Sequence, residues 1–172
     1  MTCDHRFIRL AIERFIALVE ATDLPAVERV EAIPAASDGL AHAIHQATYT
    51  YDERDFPDAP RTDAKTIRTL VSAHFPSLGY YNLADPTTQQ IGRASVIVGD
   101  GIDDIVDIYL DLKEALWRWD GTSVDDALWH LTNSFGSHWG LHLRSLQYYL
   151  HVLASGVDDM SANNRLEPQR HE

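Results

Sequence analysis

Cysteine is almost missing from this 172-residue chain, which has Cys3 and no other. One thiol closes no internal disulfide and builds no cysteine-based zinc site, so the chain is expected in a reducing, cytoplasmic setting. Basic side chains are scarce as well. Lys and Arg total 14 against 26 Asp and Glu, a formal net charge of -12. That field repels a phosphate backbone and anionic lipid head groups, which argues against nucleic acid and membrane as direct partners. Long apolar runs are absent: the opening MTCDHRFIRLAIERF is interrupted by Asp4, Arg6, Arg9, Glu13 and Arg14, leaving no signal-peptide core and no membrane span here or later. Nor is there a phosphate-cradling glycine loop or a nucleophile elbow, so an ordinary hydrolase triad has no support.

What is present is a folded composition, 45% hydrophobic and 23% charged, in a length that suits one domain. Ile8, Ala11, Ile12, Phe15 and Val19 recur at helical spacing and predict a first helix from about Asp4 to Thr22, capped by Asp4. Asp23-Leu24-Pro25 opens a second piece with Val27, Val30 and Ile33, which Pro34 is expected to end or kink. The pattern resumes from Ala35 to Tyr51, where His42 and His45 are read as solvated or hydrogen-bonded rather than as metal ligands. Pro57 and Pro60 mark a loop, and a helix follows from Asp63 to His74, stopping before Pro76. Residues 79–99, punctuated by Gly79, Pro86, Gly92 and Gly99, read as an irregular crossing with a helical turn near Thr88. Ser95 to Val98 has the composition of a strand there, but no partner strand is evident.

The strongest periodicity lies between Gly101 and Leu153. Ile102, Ile105, Tyr109, Leu112, Leu116 and Trp119 define one face of a helix running from about Asp100 to Trp119. Gly121, Ser123 and Asp126 supply a helix end followed by a capping box. Val124, Leu128, Leu131, Phe135, Trp139, Leu146, Tyr149 and Leu153 then predict one long helix to about Ala154. The expected fold is an all-α, single-domain helical bundle of about five to six helices over residues 1–155, with a long C-terminal antiparallel hairpin. Residues 156–172 are expected to form a mobile polar tail.

His138 and His142 stand one turn apart beside this apolar stripe and are expected to be at least partly buried. Each ring then needs partners for both nitrogens, because an unsatisfied one costs roughly 1–3 kcal/mol. Gly136 and Gly140, at about 1 kcal/mol each inside a helix, ask for a close helix contact, a bend or room for a ligand. The candidate polar centre comprises Asp103, Asp104, Asp107, Tyr109, Asp111, Lys113, His138, Trp139 and His142. In the leading reading it is a structural His/Asp network without a cofactor. The chain is then an interaction or accessory module that binds another protein or a second copy of itself. The alternative is a metal-dependent hydrolase of phosphoester or nucleotide type, with His138, His142, Asp104 and Asp107 holding Zn, Mn or Mg and a bound water as nucleophile. A ligand pocket lined by Tyr109, Trp139 and His142 is a third reading. Against the metal stands helical phase: Asp107 projects nearly opposite its helix's apolar face and Asp104 and Asp111 flank it, so the carboxylates are expected to face solvent or a different helix.

Gly101-Ile102-Asp103-Asp104-Ile105-Val106-Asp107-Ile108-Tyr109-Leu110-Asp111-Leu112-Lys113, followed by His138-Trp139-Gly140-Leu141-His142, resembles the signature of the bacterial domain of unknown function 5063 family. Leu24-Pro25 and Leu78-Gly79-Tyr80-Tyr81 before Asp85-Pro86 echo it earlier in the chain. The resemblance implies a single helical domain and carries no activity with it.

Overall fold

The computed structural model describes residues 5–87 and 89–156. In chain order these form α1 (Arg6–Glu20), α2 (Ala26–Ile44), α3 (Ala64–His74), β1 (Tyr80–Ala84), β2 (Val96–Asp100), α4 (Gly101–Gly121), α5 (Val124–Ser137) and α6 (Trp139–Ser155). α4 is the hub, packed against α1, α3, α5 and α6 and continuous with β2. Its Ile105, Ile108 and Leu112 are fully buried and share one core with Phe15, Ile33, Leu40, Phe75, Leu128, Trp139 and Leu146. Each of these large apolar side chains stabilises the fold by about 1.5–3 kcal/mol.

Side-chain caps set several helix starts. Asp63 accepts from the Lys65 and Thr66 N–H groups at α3, Asp100 from Ile102 N–H at α4, and Ser123 from Asp126 N–H at α5. The end of α1 is held differently. The buried Arg29 guanidinium of α2 donates to the carbonyls of Leu18, Ala21 and Leu24, satisfying acceptors that the helix end leaves open.

The chain departs from the sequence expectation in three places. α2 continues through Pro34 as one helix and ends at Ile44, instead of ending at Pro34 or running on to Tyr51. Proline removes one backbone hydrogen bond, but Ile33, Ala36 and Leu40 on either side bury in the same core and keep the helix going. Residues beyond it cross as a loop over the start of α5, where Thr50 N–H donates to Asp125 and Ser123 Oγ donates to Asp52.

Residues 79–99 are not merely an irregular crossing. β1 and β2 pair antiparallel in the register Tyr80↔Asp100 to Ala84↔Val96, so the partner missing from the sequence reading is Tyr80–Ala84. The Tyr81 ring lies over Gly99, where a Cβ would come within 2.4 Å of it, and stacks on Tyr149 of α6 at 4.4 Å between centroids. The fold is therefore mostly helical with one small ribbon, not purely α.

The third departure concerns the hairpin. α4 and α5 do form one, but the long last helix is broken at His138, whose backbone (φ -145°, ψ -88°) leaves the helical region. α6 then starts afresh and packs on both α4 and α5, so the hairpin is followed by another helix and is not the C-terminal element. Gly140 permits the break, since a Cβ there would sit 2.2 Å from the Phe135 carbonyl oxygen. The Asp4 cap, the turn at Thr88 and the tail beyond Gly156 lie outside the described residues. Among the described residues no helix is long and apolar enough to cross a membrane.

Candidate metal centre

Asp104, Asp107 and Asp111 follow one another at three- and four-residue steps on α4, which aligns them along one stripe. That stripe faces the α5–α6 break. His142 Nδ1 lies 2.8 Å from Asp104 Oδ1, and its Nε2 lies 3.3 Å from Asp107 Oδ2. His138 Nδ1 lies 2.7 Å from Asp111 Oδ2. The two imidazole centroids are 5.1 Å apart. One ligand atom each from Asp107, His138 and His142 fall within 4.8 Å of one another.

The expectation that the carboxylates look away from the histidines is thus overturned. An amphipathic pattern assigns a polar side to a helix, but α4 has neighbours on several sides, and α6 covers the flank that carries Asp104. Burial of the imidazoles is uneven. The His142 side chain is 27% exposed, whereas the His138 side chain, at the break, is 50% exposed and so wetter than expected.

Asp104 is the buried anion of the group, 5% exposed. It is satisfied on both oxygens: Oδ1 pairs with His142 Nδ1, and Oδ2 accepts from the Tyr81 hydroxyl. Asp104 therefore stands behind His142, and Asp111 stands behind His138 in the same way. Hydrogen bonding to Asp104 pushes the His142 pKa up against the opposing effect of burial, with the nearby Asp107 adding to the rise. Burial raises the Asp107 pKa, although the two histidines pull the other way. Burial and the bond to Asp104 raise Tyr81.

The remaining candidates lie elsewhere. Asp103 is exposed and pairs with Arg68 at 2.8 Å. Tyr109 Oη donates to Glu20 at 2.7 Å, and Lys113 Nζ to the same carboxylate at 3.1 Å, which ties α4 to α1. Trp139 is fully buried with Nε1 donating to the Leu131 carbonyl at 3.1 Å. Tyr109 and Trp139 are buried core side chains whose polar atoms pair with Glu20 and the Leu131 carbonyl rather than with His142. His42 packs on Phe7, and His45 Nε2 lies 3.0 Å from Arg144 Nη2, both apart from this cluster.

With this geometry in place, the comparisons with known proteins bear on the fold. A family model described as a domain of unknown function (DUF5063) matches residues 17–155. The chain belongs to the DUF5063 family. No curated protein matches it. This DUF5063 chain is similar to the crystal structure of protein BF1032 from Bacteroides fragilis, with a TM-score of 0.67 and 16% identity over 96% of this chain and 94% of that one. At that identity the likeness is one of fold.

Tyr81 is the residue of this DUF5063 site that sequence reasoning missed. Its contact with Asp104 depends on β1 pairing with β2, and nothing in the local Leu78-Gly79-Tyr80-Tyr81 stretch announces a partner 23 residues away.

Proposed function

We propose that this DUF5063 domain binds one divalent transition metal through Asp107, His138 and His142. The observation that carries this is the paired arrangement of the imidazoles: each has one nitrogen on a carboxylate, Asp104 or Asp111, which leaves the other nitrogen for a cation near Asp107. Carboxylates placed behind metal-bound histidines fix the tautomer and strengthen the ligand. Two imidazoles and one carboxylate suit Zn²⁺ or Mn²⁺ better than Mg²⁺, which prefers oxygen and water. Three protein ligands leave a coordination position for water or a small ligand, and a metal-bound water is acidified enough to serve hydrolytic chemistry.

Elemental analysis of protein purified without an affinity tag tests this, alongside a His138→Ala/His142→Ala variant. Stoichiometric metal that is lost in the variant is the expected result. Metal-free protein whose melting temperature ignores added Zn²⁺ and Mn²⁺ would leave only a proton-bridged His/Asp network.

A second reading, that the domain also pairs with a protein or with its own copy, is supported by the ribbon. Val96, Ile97 and Val98 of β2 are 68%, 51% and 67% exposed, and the sheet has only two strands among the described residues, so its outer edges are unpaired. Apolar edge strands are templates for pairing unless they are blocked. Light scattering on the native chain and on Ile97→Lys tests self-association: a dimer is expected to weaken in the variant, and a native chain monomeric at every concentration would exclude the homodimer.

A further inference from the structure

A groove of about 590 Å³ opens directly beside His138 and follows α4 from Asp111 to Trp117, with the loop 59–62 as its other wall. Along that stretch the helix rises about 9 Å, room for one ring and an oxyanion. Much of the wall is apolar, from Leu110, Trp117, Ala59 and Pro60. Its charged groups are mostly taken: Asp111 by His138, Glu114 by Arg118 at 2.9 Å, and Lys113 by Glu20. Arg61 is the exception, exposed and without an ion pair to any described residue.

Resting on the metal reading above, we infer that this groove takes a small organic carboxylate with a flat apolar body. One carboxylate oxygen occupies the open position of the metal at the His138 end, Arg61 supplies the counter-charge, and the apolar body lies along Leu110 and Trp117. Charge decides for a monoanion. Asp104, Asp107 and Asp111 together already outweigh the two charges of a divalent ion, and among the described residues that line the groove Arg61 is the cation without an ion pair. A phosphate monoester would bring a second negative charge with nothing to answer it. The apolar wall decides for a body larger than a methyl group, because burying a ring there adds affinity that acetate cannot gain.

Isothermal titration of phenylacetate into the zinc-loaded full chain, with zinc content measured on each sample, tests the inference. Phenylacetate is expected to bind about tenfold more tightly than acetate and at least as tightly as phenyl phosphate. Arg61→Ala is expected to weaken phenylacetate by about tenfold while keeping its zinc. Equal affinities for acetate and phenylacetate, tighter binding of phenyl phosphate, or an Arg61→Ala variant that binds like the native chain would overturn the ligand assignment and leave the metal centre standing. A native sample that takes up no zinc would remove the metal centre and this inference with it.

Discussion

At its C-terminal end α4 buries Arg118 against carboxylates, whereas about four turns earlier the same helix buries Asp104 against an imidazole. Arg118 donates from Nε and Nη2 to Glu114 at 2.9 Å and from Nη1 to Asp126 at 3.3 Å, and Thr122 Oγ1 donates to Asp126 at 2.6 Å. A guanidinium keeps its charge at any ordinary pH, so that knot is complete as it stands. The other end is held by His142 between Asp104 and Asp107, and imidazole exchanges its proton near neutrality. One buried polar cluster is closed by a permanent cation; the other is closed by an imidazole proton, the position that the proposed metal ion would take. Buried carboxylates alone thus say little about function, and the partner that neutralises them says more.

The largest expected effect would break the closed end. Arg118→Ala leaves Asp126 without its buried counter-charge, which costs about 3–5 kcal/mol and lowers the melting temperature on the order of ten degrees, while metal content stays unchanged. Thermal denaturation with elemental analysis checks this, and parallel loss of metal would show that the two ends are not independent.

Next in size, zinc at a hundredfold over its dissociation constant is expected to stabilise the native chain by about 2.7 kcal/mol and to leave His138→Ala/His142→Ala unaffected. Equal shifts in the two proteins would place the ion elsewhere. Within the same end, Asp104→Asn removes the carboxylate behind His142 and is expected to lower zinc affinity by about 10–100-fold, measured by competition with a chelator. Tyr81→Phe, one step farther out, should lower it by less than Asp104→Asn does, and a reversed order would break the outward gradient.

The smallest effect sharpens the contrast between proton and metal. His142 faces Asp104 and Asp107 from α4, with Asp103, His138 and the Tyr81–Asp104 bond close by. Its folded pKa is raised above the ordinary 6.5, so its stabilising contribution is complete below that value and is lost as pH rises through the folded pKa. The raised Asp107 acts in the same direction from a lower pH. Chelator-treated protein is therefore expected to melt higher near pH 6 than near pH 8, and the extra stability conferred by zinc should grow over the same interval. A chelator-treated melting temperature that rises across it would contradict a proton-held seam.

Local chemistry made most of the helices readable. The apolar spacing of Ile8, Ile12, Phe15 and Val19, the helix starts near Asp63 and Asp100, and the cap at Ser123 are all short-range features, and the structure contains each of them. Membership of the DUF5063 family was legible from the acidic run of α4 and the histidine motif after it. The site was legible only in part. Asp104, Asp107, Asp111, His138 and His142 were named, but Asp103, Tyr109, Lys113 and Trp139 were named beside them and proved to serve other contacts.

What the amino-acid order determined by itself, then, was where helices form and which residues share a face, because a period of 3.6 residues and a capping side chain act over one or two turns. Tertiary structure alone decided that Pro34 would be tolerated, that Tyr80–Ala84 would find Val96–Asp100, that the last helix would break at His138, and that the carboxylates of α4 would meet the imidazoles. Each of those outcomes depends on groups far apart in the chain whose packing outweighs a local preference of about 1–3 kcal/mol, and no short window of sequence contains both partners.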